Sequence, residues 1–404
     1  MATPTPVFRN PFRPGAGHMP PYLAGRKKEE REFIKLLDQD PILANLVLTG
    51  LRGVGKTVLL DTFKPIAMDV GWLWVGTDWT ESTSVSEENM ALRLMTDLSV
   101  VTSSIIISAD ERRKIGFKND EAVTYKTLNF EALANLYNET PGIVSDKIKN
   151  VLETVWSFLK RDGRRGVIFA YDEAQNLSDQ KAKDQYPLSL LLDVFQSIQK
   201  KGIPFMLVLT GLPTLFLKLV EARTFAERMF EVVMLERLNE PDSRDAIVKP
   251  TEHPECKFKF KPETVERMYK TSGGYPFFIQ FICREVFDAW IQNISDGKDP
   301  VSQMSDIVRK LDVNFFSGRW GRATDRQREL LEVIAHLPNS DSEFTVQEVV
   351  EKSKEMSNPF GSSHTNQMLS SLCDAGLIFK NRYGKYSFAV PLLGEFILRQ
   401  IRGK

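Results

Sequence analysis

Short apolar runs alternate with amphipathic, helix-length segments through the first 240 residues of the chain. Each run is nearly continuously apolar, which is typical of a parallel strand buried on both faces. The predicted strands lie at residues 46–48, 71–75, 166–171, 203–209 and 231–235. Between them, apolar positions recur every three or four residues, as at Met90, Leu94 and Leu98. The pattern predicts an α/β fold on a three-layer parallel sheet.

The strand pattern stops after residue 238, and the next segment is helical. A predicted helix at 263–270 ends at Gly273-Gly274, and a second begins near Pro276 with an apolar stripe that continues to Trp290. Residues 81–162, between the second and third strands, also have a mostly helical pattern. We therefore expect a small helical domain after the sheet and a helical elaboration within it.

The C-terminal segment has the pattern of a further domain. Thr324, Thr345 and His364 each begin a predicted helix, and two short strands, 377–380 and 386–390, enclose a basic tip at 381–385. Three helices followed by a basic hairpin predict a winged helix-turn-helix.

One loop carries the first candidate chemistry. Glycines in a turn between strand and helix let backbone N–H groups surround phosphate oxygens, and the helix dipole favours the same anion. Lys56 is expected to reach the β and γ phosphates, and Thr57 to give its hydroxyl to Mg²⁺. The loop fits the G-x-x-x-x-G-K-[ST] pattern at every position and runs Gly50, Leu51, Arg52, Gly53, Val54, Gly55, Lys56, Thr57, with Val58 opening the helix.

Two adjacent carboxylates end the third strand. Asp172 and Glu173 follow the run 166–171, at the kind of strand end where a parallel sheet meets a nucleotide. Asp172 is expected to hold Mg²⁺, and Glu173 to orient and polarise the attacking water. Thr210, at the end of the next strand, is placed to hydrogen-bond the water or the γ phosphate, although a threonine there is also a common helix cap.

Two arginines are candidates for action on a neighbouring subunit. Arg228 precedes the last strand and is placed to reach the γ phosphate of an adjoining copy, while Arg223 is the competing residue. An ordinary surface salt bridge is the alternative for either.

Two segments, one before and one after the predicted sheet along the chain, are candidates for contact with the nucleotide. The proline pair at 20–21 favours an extended chain and the following glycine permits close approach, so Leu23, Gly25 and Arg26 are expected to lie against adenine. A solvated leader is the alternative. Tyr275 and Pro276 form a bend that is expected to bring the helical domain over the nucleotide.

The winged helix predicts a set of DNA contacts. Residues 314–404 include 12 basic and 10 acidic side chains, a net charge of only +2. Protein packing or autoinhibition is the alternative use of such a domain. If it reads double-stranded DNA, the groove would meet His364, Thr365, Asn366 and Gln367, and the phosphates would meet Lys380, Arg382 and Lys385.

Composition narrows the class of protein. The chain has 404 residues, of which 53 are basic and 53 acidic, so any nucleic-acid surface must be local. Three widely spaced cysteines indicate a reducing cytoplasm and argue against a disulfide framework or a zinc site. No apolar run has the length of a membrane span, and residues 1–15 have no apolar signal core. We therefore expect a cytoplasmic protein with no membrane partner.

Together these features resemble the AAA+ branch of P-loop ATPases. The leader Pro20 to Glu29, the phosphate loop and the C-terminal winged helix are similar to archaeal-type origin-recognition initiators, in which such a leader contacts adenine. Those initiators carry an arginine after the glycine of their second sensor, whereas this chain has Gly273-Gly274-Tyr275-Pro276. That pattern resembles the STAND and archaeal-type ATPases, which couple ATP to assembly in signalling or defence.

The resemblance implies an AAA+ core with a helical lid and a winged helix. The expected divisions are a leader (1–43), an ATPase core (44–238), the lid (239–313) and the winged-helix domain (314–404). We expect an ATPase switch that uses ATP and Mg²⁺ and engages double-stranded DNA. The alternative is a STAND-like switch whose output is a homo-oligomer or a protein partner. The absence of an N-K-x-D guanine motif from the sequence favours ATP.

Overall fold

The structure, a computed structural model, describes residues 9–112, 122–252, 256, 258–295, 304–338, 340, 342–356, 358–382 and 384–402. The first eight residues of the predicted leader and Tyr383 of the predicted wing tip lie outside these ranges. The chain forms two compact units. The sheet unit comprises Lys27–Thr49 and Leu59–Met234. The lid unit comprises Gly50–Val58, the residues up to Arg26 and those from Leu235 onward.

A parallel sheet organises the first part of the chain. The elements between residues 27 and 235 are α1 (Lys27–Leu37), β1 (Asn45–Gly50), α2 (Lys56–Asp69), β2 (Trp72–Val75), α3 (Glu87–Thr102), β3 (Ile106–Arg112), β4 (Ala122–Thr127), α4 (Phe130–Glu139), α5 (Val144–Arg161), β5 (Gly166–Tyr171), α6 (Pro187–Lys200), β6 (Phe205–Gly211), α7 (Thr214–Ala222), α8 (Ala226–Met229) and β7 (Phe230–Leu235). Among the described residues, five of these strands form one sheet in the order β2-β5-β6-β1-β7.

The register of this sheet confirms the predicted α/β class. The β1/β6, β5/β6 and β2/β5 pairs are parallel, with Leu46 opposite Val208 and Val167 opposite Phe205. Every residue of β1, β5 and β6 is buried, which is why these strands read as continuous apolar runs. Phe169 of β5 packs edge-on against Phe195 of α6, with ring centroids 5.0 Å apart.

An antiparallel pair, β3 and β4, lies within the region predicted to be mostly helical. The prediction holds for α3, α4 and α5 but is wrong for residues 106–112 and 122–127, where Ala109 pairs with Tyr125. The β-branched and aromatic residues at 105–107 and 123–125 favour strand over helix, and this signal was missed.

Helices dominate the remainder of the chain. Its elements are α9 (Glu240–Val248), α10 (Pro262–Ser272), α11 (Pro276–Ser295), α12 (Met304–Leu311), α13 (Ser317–Trp320), α14 (Asp325–Ala335), β8 (Phe344–Thr345), α15 (Val346–Ser353), α16 (Ser362–Asp374), β9 (Ile378–Arg382), β10 (Lys385–Phe388) and α17 (Leu393–Arg402). The predicted helices at 263–270 and after Pro276 correspond to α10 and α11.

The C-terminal elements have the arrangement of a winged helix. Capping boxes at Thr324 and Thr345 begin α14 and α15, because each side chain accepts a bond from the backbone three residues on. The strand β8 lies between α14 and α15, and β9 and β10 follow α16. Together they form an antiparallel sheet in the order β8-β10-β9. Neither β8 nor α17 was predicted.

A buried polar contact joins α3 to β5. The hydroxyl of Tyr171, a fully buried residue, donates a 2.9 Å hydrogen bond to Asp97, and Arg93 forms a 2.6 Å ion pair with the same carboxylate. Burial, and then the Asp97 charge, raise the pKa of Tyr171 well above its ordinary value. Tyr171 is therefore a neutral donor, and Asp97 satisfies a hydroxyl that has no access to water.

Asp97→Ala is expected to lower the free energy of unfolding by about 2–4 kcal/mol, because it leaves the Tyr171 hydroxyl buried without an acceptor and removes the partner of Arg93. Urea unfolding followed by circular dichroism measures this loss. The control Asp306→Ala removes an exposed pair with Arg309 and should cost less than about 0.5 kcal/mol. Equal losses in the two variants would mean that the buried contact does not stabilise the fold.

Candidate functional site

The phosphate loop has the backbone of an anion cradle. Gly53 and Gly55 adopt φ values of +80° and +93°, a region that glycine occupies without strain. A Cβ built at Gly55 would meet no atom within 4 Å, so open space faces this glycine. The first turn of α2, which begins at Lys56, contains no acidic side chain. These residues therefore fit a phosphate group at the helix N-terminus.

Lys56 is held at this loop. Its side chain is 9% exposed, and Nζ donates to the carbonyl oxygens of Gly50 at 2.9 Å and Leu51 at 3.0 Å. Thr57 and Val58 are half-buried. A cation held against the loop backbone is suited to a bound polyphosphate, whose charge it would partly neutralise.

Two further residues of the lid unit bond the loop. Arg26, which is 6% exposed, donates from Nη2 to Val54 O at 2.8 Å and to Glu236 O at 2.9 Å. The backbone N–H of Phe277, in the first turn of α11, donates to Gly53 O at 3.1 Å. The bend residues next to it, Tyr275 and Pro276, are half-buried, as is Leu23. Contact of Leu23 with adenine, and closure of this bend over a nucleotide, stay predictions.

The described part of the leader packs against α11. Asn10 donates to Arg284 O at 3.0 Å and to Asp288 at 2.8 Å, and Gln280 accepts a 3.1 Å bond from the Arg13 backbone. Phe12 is 3% exposed. The leader is therefore anchored at residues 10–13, while contact of residues 20–29 with adenine stays a prediction.

The acidic pair lies in the sheet unit. Asp172 is 5% exposed, and its carboxylate accepts hydrogen bonds from the Thr210 hydroxyl and, at 2.7 Å, from the Glu173 backbone N–H. Glu173 is exposed and adopts φ +51°, which is uncommon for a residue with a side chain and is found at functional sites. Its carboxylate accepts a hydrogen bond from Gln175. The structure thus brings Asp172, Glu173 and Thr210 together at adjacent strand ends.

Two more acidic residues, Asp61 and Asp78, lie near Asp172. Asp78 forms an isolated backbone bridge with Asp172. Partial desolvation, then the charges of Asp172 and Asp78, raise the pKa of Asp61 on α2, while Lys64 opposes this shift. No motif in the sequence singled out Asp61 or Asp78, because neither is close to Asp172 along the chain.

The acidic side chains near Asp172 can be compared with the ligands that a metal ion requires. Among the described residues, no cluster of three or more His, Cys, Asp or Glu side chains is arranged to hold a metal ion. Mg²⁺ usually takes one or two carboxylates and completes its shell with phosphate oxygens and water. The donor set around Asp172 fits that mode of binding rather than an all-protein cage.

The two competing arginines have different surroundings. Arg223 is paired with Asp193, at 2.7 Å and 2.9 Å, and donates to the Ser189 hydroxyl at 2.8 Å. The hydrogen bond to Asp193 raises the pKa of Arg223. Arg228 is exposed and forms no ion pair with the described residues. Of the two, Arg228 is the residue whose guanidinium forms no ion pair within the described ranges.

The predicted DNA-contacting residues are mostly on the surface. His364, Asn366 and Gln367 are exposed in the first turns of α16, Lys380 is exposed and Lys385 is half-buried. The prediction is wrong for Thr365, which is fully buried and donates to Gly361 O at 3.0 Å, so its side chain faces the domain core. The side chain of Arg382 lies outside what the structure describes.

Comparison with solved structures confirms the AAA+ P-loop fold. The Walker-type ATPase PABY2304 of Pyrococcus abyssi is similar over 93% of this chain and 96% of that chain, with a TM-score of 0.57 and 15% identity. The ORC2 protein of Aeropyrum pernix, in its ADP form, is similar over 96% and 97% respectively, with a TM-score of 0.56 and 15% identity. The expected resemblance to archaeal-type initiators and archaeal-type ATPases therefore holds at the level of the fold.

Sequence comparison adds one match. A family model described as a domain of unknown function (DUF8462) matches residues 313–397, which correspond to the C-terminal domain. No curated protein matches the chain. Across the described ranges, no helix combines the length and apolar character needed to cross a bilayer.

Gly274→Ala is expected to cost about 2–4 kcal/mol of stability, because φ is +78° there and a Cβ would lie 2.5 Å from Leu238 O. Gly273→Ala is the matched control: φ is +58°, but the new Cβ would meet the end of the Leu392 side chain, for a cost of about 1–2 kcal/mol. Urea midpoints rank the two variants. A Gly273 variant as unstable as the Gly274 variant would contradict this account of the bend.

Proposed function

We propose that the protein is an ATPase switch, in which ATP bound at the phosphate loop is hydrolysed to ADP and phosphate. The observation that carries this proposal is the geometry of the loop, with two glycines at positive φ and the Lys56 amine held 2.9 Å from Gly50 O. The structural relatives support it, since one is described as a Walker-type ATPase and another as an ADP form.

Each candidate residue has a chemical role in this proposal. Lys56 stabilises charge on the transferring phosphoryl group, and Thr57 and Asp172 bind the Mg²⁺ that accompanies ATP. Glu173 orients and polarises the attacking water, and Thr210 senses the γ phosphate while holding the Asp172 carboxylate. Arg228 is the residue assigned to a neighbouring subunit, and its exposed guanidinium supports this choice over Arg223.

We further propose that the switch acts on double-stranded DNA through its winged helix. Exposed polar side chains in the first turns of α16 support base readout by His364, Asn366 and Gln367. Lys380, Arg382 and Lys385 would contact phosphates from the wing.

The second candidate function is a STAND-like switch whose output is assembly or binding of a protein partner. The Gly-Gly-Tyr-Pro bend favours it, because both glycines take positive φ and the following Phe277 bonds the phosphate loop. Under this alternative, neutralising the wing would leave function unchanged, and ATP would drive oligomer formation.

Glu173→Gln is expected to reduce ATP turnover by about 100-fold or more while leaving ATP affinity nearly unchanged, because the amide cannot polarise water but retains the side-chain volume. Phosphate release and equilibrium ATP binding measure the two effects. Glu139→Gln, at an exposed position near the end of α4, is the matched control and should behave as wild type. Normal turnover by Glu173→Gln would refute the assigned role.

The double variant Arg382→Ala/Lys385→Ala is expected to weaken double-stranded DNA binding by about tenfold and to reduce its salt dependence, because two phosphate contacts are lost. DNA titrations at two salt concentrations, with ATP turnover followed in parallel, measure this. Lys352→Ala/Lys354→Ala, at the end of α15, removes the same charge outside the wing and should leave binding unchanged. Equal effects of the two pairs, or no DNA binding by wild type, would favour the protein-partner alternative.

A further inference from the structure

Three arginines of the lid unit lie close together, and no acidic side chain of the described residues pairs with them. Arg52 belongs to the phosphate loop, Arg319 to α13 and Arg322 to the turn after α13. None of these residues, named here the arginine cluster, forms an ion pair with a described side chain. Partial burial, and then the guanidiniums of Arg52 and Arg322, lower the pKa of Arg319. An arginine nevertheless stays charged at neutral pH, so the cluster carries positive charge that no ion pair within the described ranges compensates.

A series of contacts connects Arg319 to the phosphate loop. Its guanidinium lies 4.6 Å from the ring centroid of Phe315, and Nη1 donates to Phe315 O at 2.6 Å. The Phe315 and Phe277 rings are 5.0 Å apart, and the Phe277 N–H bonds Gly53, the residue after Arg52. Arg319 is therefore positioned by packing next to the loop.

The backbone before Arg319 is also unusual. Residues Asp312–Phe316 form a π-helical turn, a feature that is frequent at functional sites. Asp312 is held by a bidentate ion pair with Arg399 of α17, at 2.6 Å and 3.0 Å. The Phe316 ring stacks on Phe396 at 5.1 Å. These contacts join the turn that precedes α13 to α17.

The chemistry of the cluster selects an anion with several oxygens. Gathering like charges destabilises a protein unless an anion joins them. The Nη1 group of Arg319 donates a hydrogen bond to Phe315 O, while its Nε and Nη2 donors make no bond to the described residues. A planar pair of donors matches the oxygens of a phosphate.

We propose that Arg319, flanked by Arg52 and Arg322, binds the terminal phosphate of a nucleoside triphosphate held in the phosphate loop. The inference rests on the proposed function, which places the nucleotide in that loop. Because Arg319 lies in the first segment of the C-terminal domain, loss of the terminal phosphate would release this segment from the phosphate loop. The cluster would thereby distinguish the triphosphate from the diphosphate.

The test compares affinities for a non-hydrolysable ATP analogue and for ADP in the full chain. Arg319→Gln is expected to weaken analogue binding by about tenfold or more, through the loss of charge-assisted hydrogen bonds, and to change ADP affinity by less than about twofold. Arg52→Gln should weaken the analogue in the same direction. Arg319→Lys keeps the charge but not the planar fork and should fall between wild type and Arg319→Gln. Arg309→Gln, on an exposed residue of α12, is the matched control.

The possible failures separate the two proposals. If wild type binds neither nucleotide, or if Lys56→Ala binds both as wild type does, the proposed function fails and the inference fails with it. If wild type binds both and Arg319→Gln retains the same ratio of affinities, only the inference is overturned. An effect of Arg319→Gln on DNA binding alone would likewise overturn it. Thermal unfolding of each variant identifies a folding defect, and Arg52→Gln, whose side chain is exposed, then decides the question.

Discussion

The hydrogen bonds to the carbonyl oxygens of the phosphate loop are the constraint on which this structure depends. A loop that turns its N–H groups inward toward an anion turns its carbonyl groups outward, and each of these needs a donor. The carbonyl oxygen of Gly53 accepts a hydrogen bond from the backbone N–H of Phe277, and that of Val54 accepts one from the guanidinium of Arg26. Lys56 bonds the first two carbonyls of the loop. The loop conformation is therefore built by residues from the leader and the lid.

This dependence explains why Gly50–Val58 belongs to the lid unit although it follows a strand of the sheet. It also explains the glycines at 273 and 274. For Phe277 to present its N–H to the loop, the chain must reverse between α10 and α11, and two residues with positive φ make that reversal. The Leu238 N–H then bonds Gly274 O at 2.8 Å and fixes the start of the lid.

The sequence predicted those features that depend on local pattern. Buried parallel strands are apolar throughout, so β1, β5 and β6 were located from apolar runs, and the glycine spacing of the loop is its own signal. The features that the sequence did not predict depend on partners far away along the chain or on competing local signals. The partners of Arg26 lie 28 and 210 residues away, and the carboxylates near Asp172 come from separate elements. Thr365 reads as a polar surface residue, but its hydroxyl bonds within its own helix turn, which permits burial.

The net charge is zero, but the charges are unevenly distributed over the protein. Many arginines of this protein, such as Arg223, Arg244 and Arg399, are neutralised by nearby carboxylates. Within the part of the chain that the structure describes, no carboxylate pairs with the arginine cluster, whose members come from the loop and from the first segment of the C-terminal domain. A ligand shifts a conformational equilibrium only as far as its affinity differs between the two states. If the loop alone bound the nucleotide, the contacts of a triphosphate would not depend on the position of that segment, and neither would those of a diphosphate. A cation supplied by the segment itself makes the affinity depend on its position, which is the physical requirement for a switch.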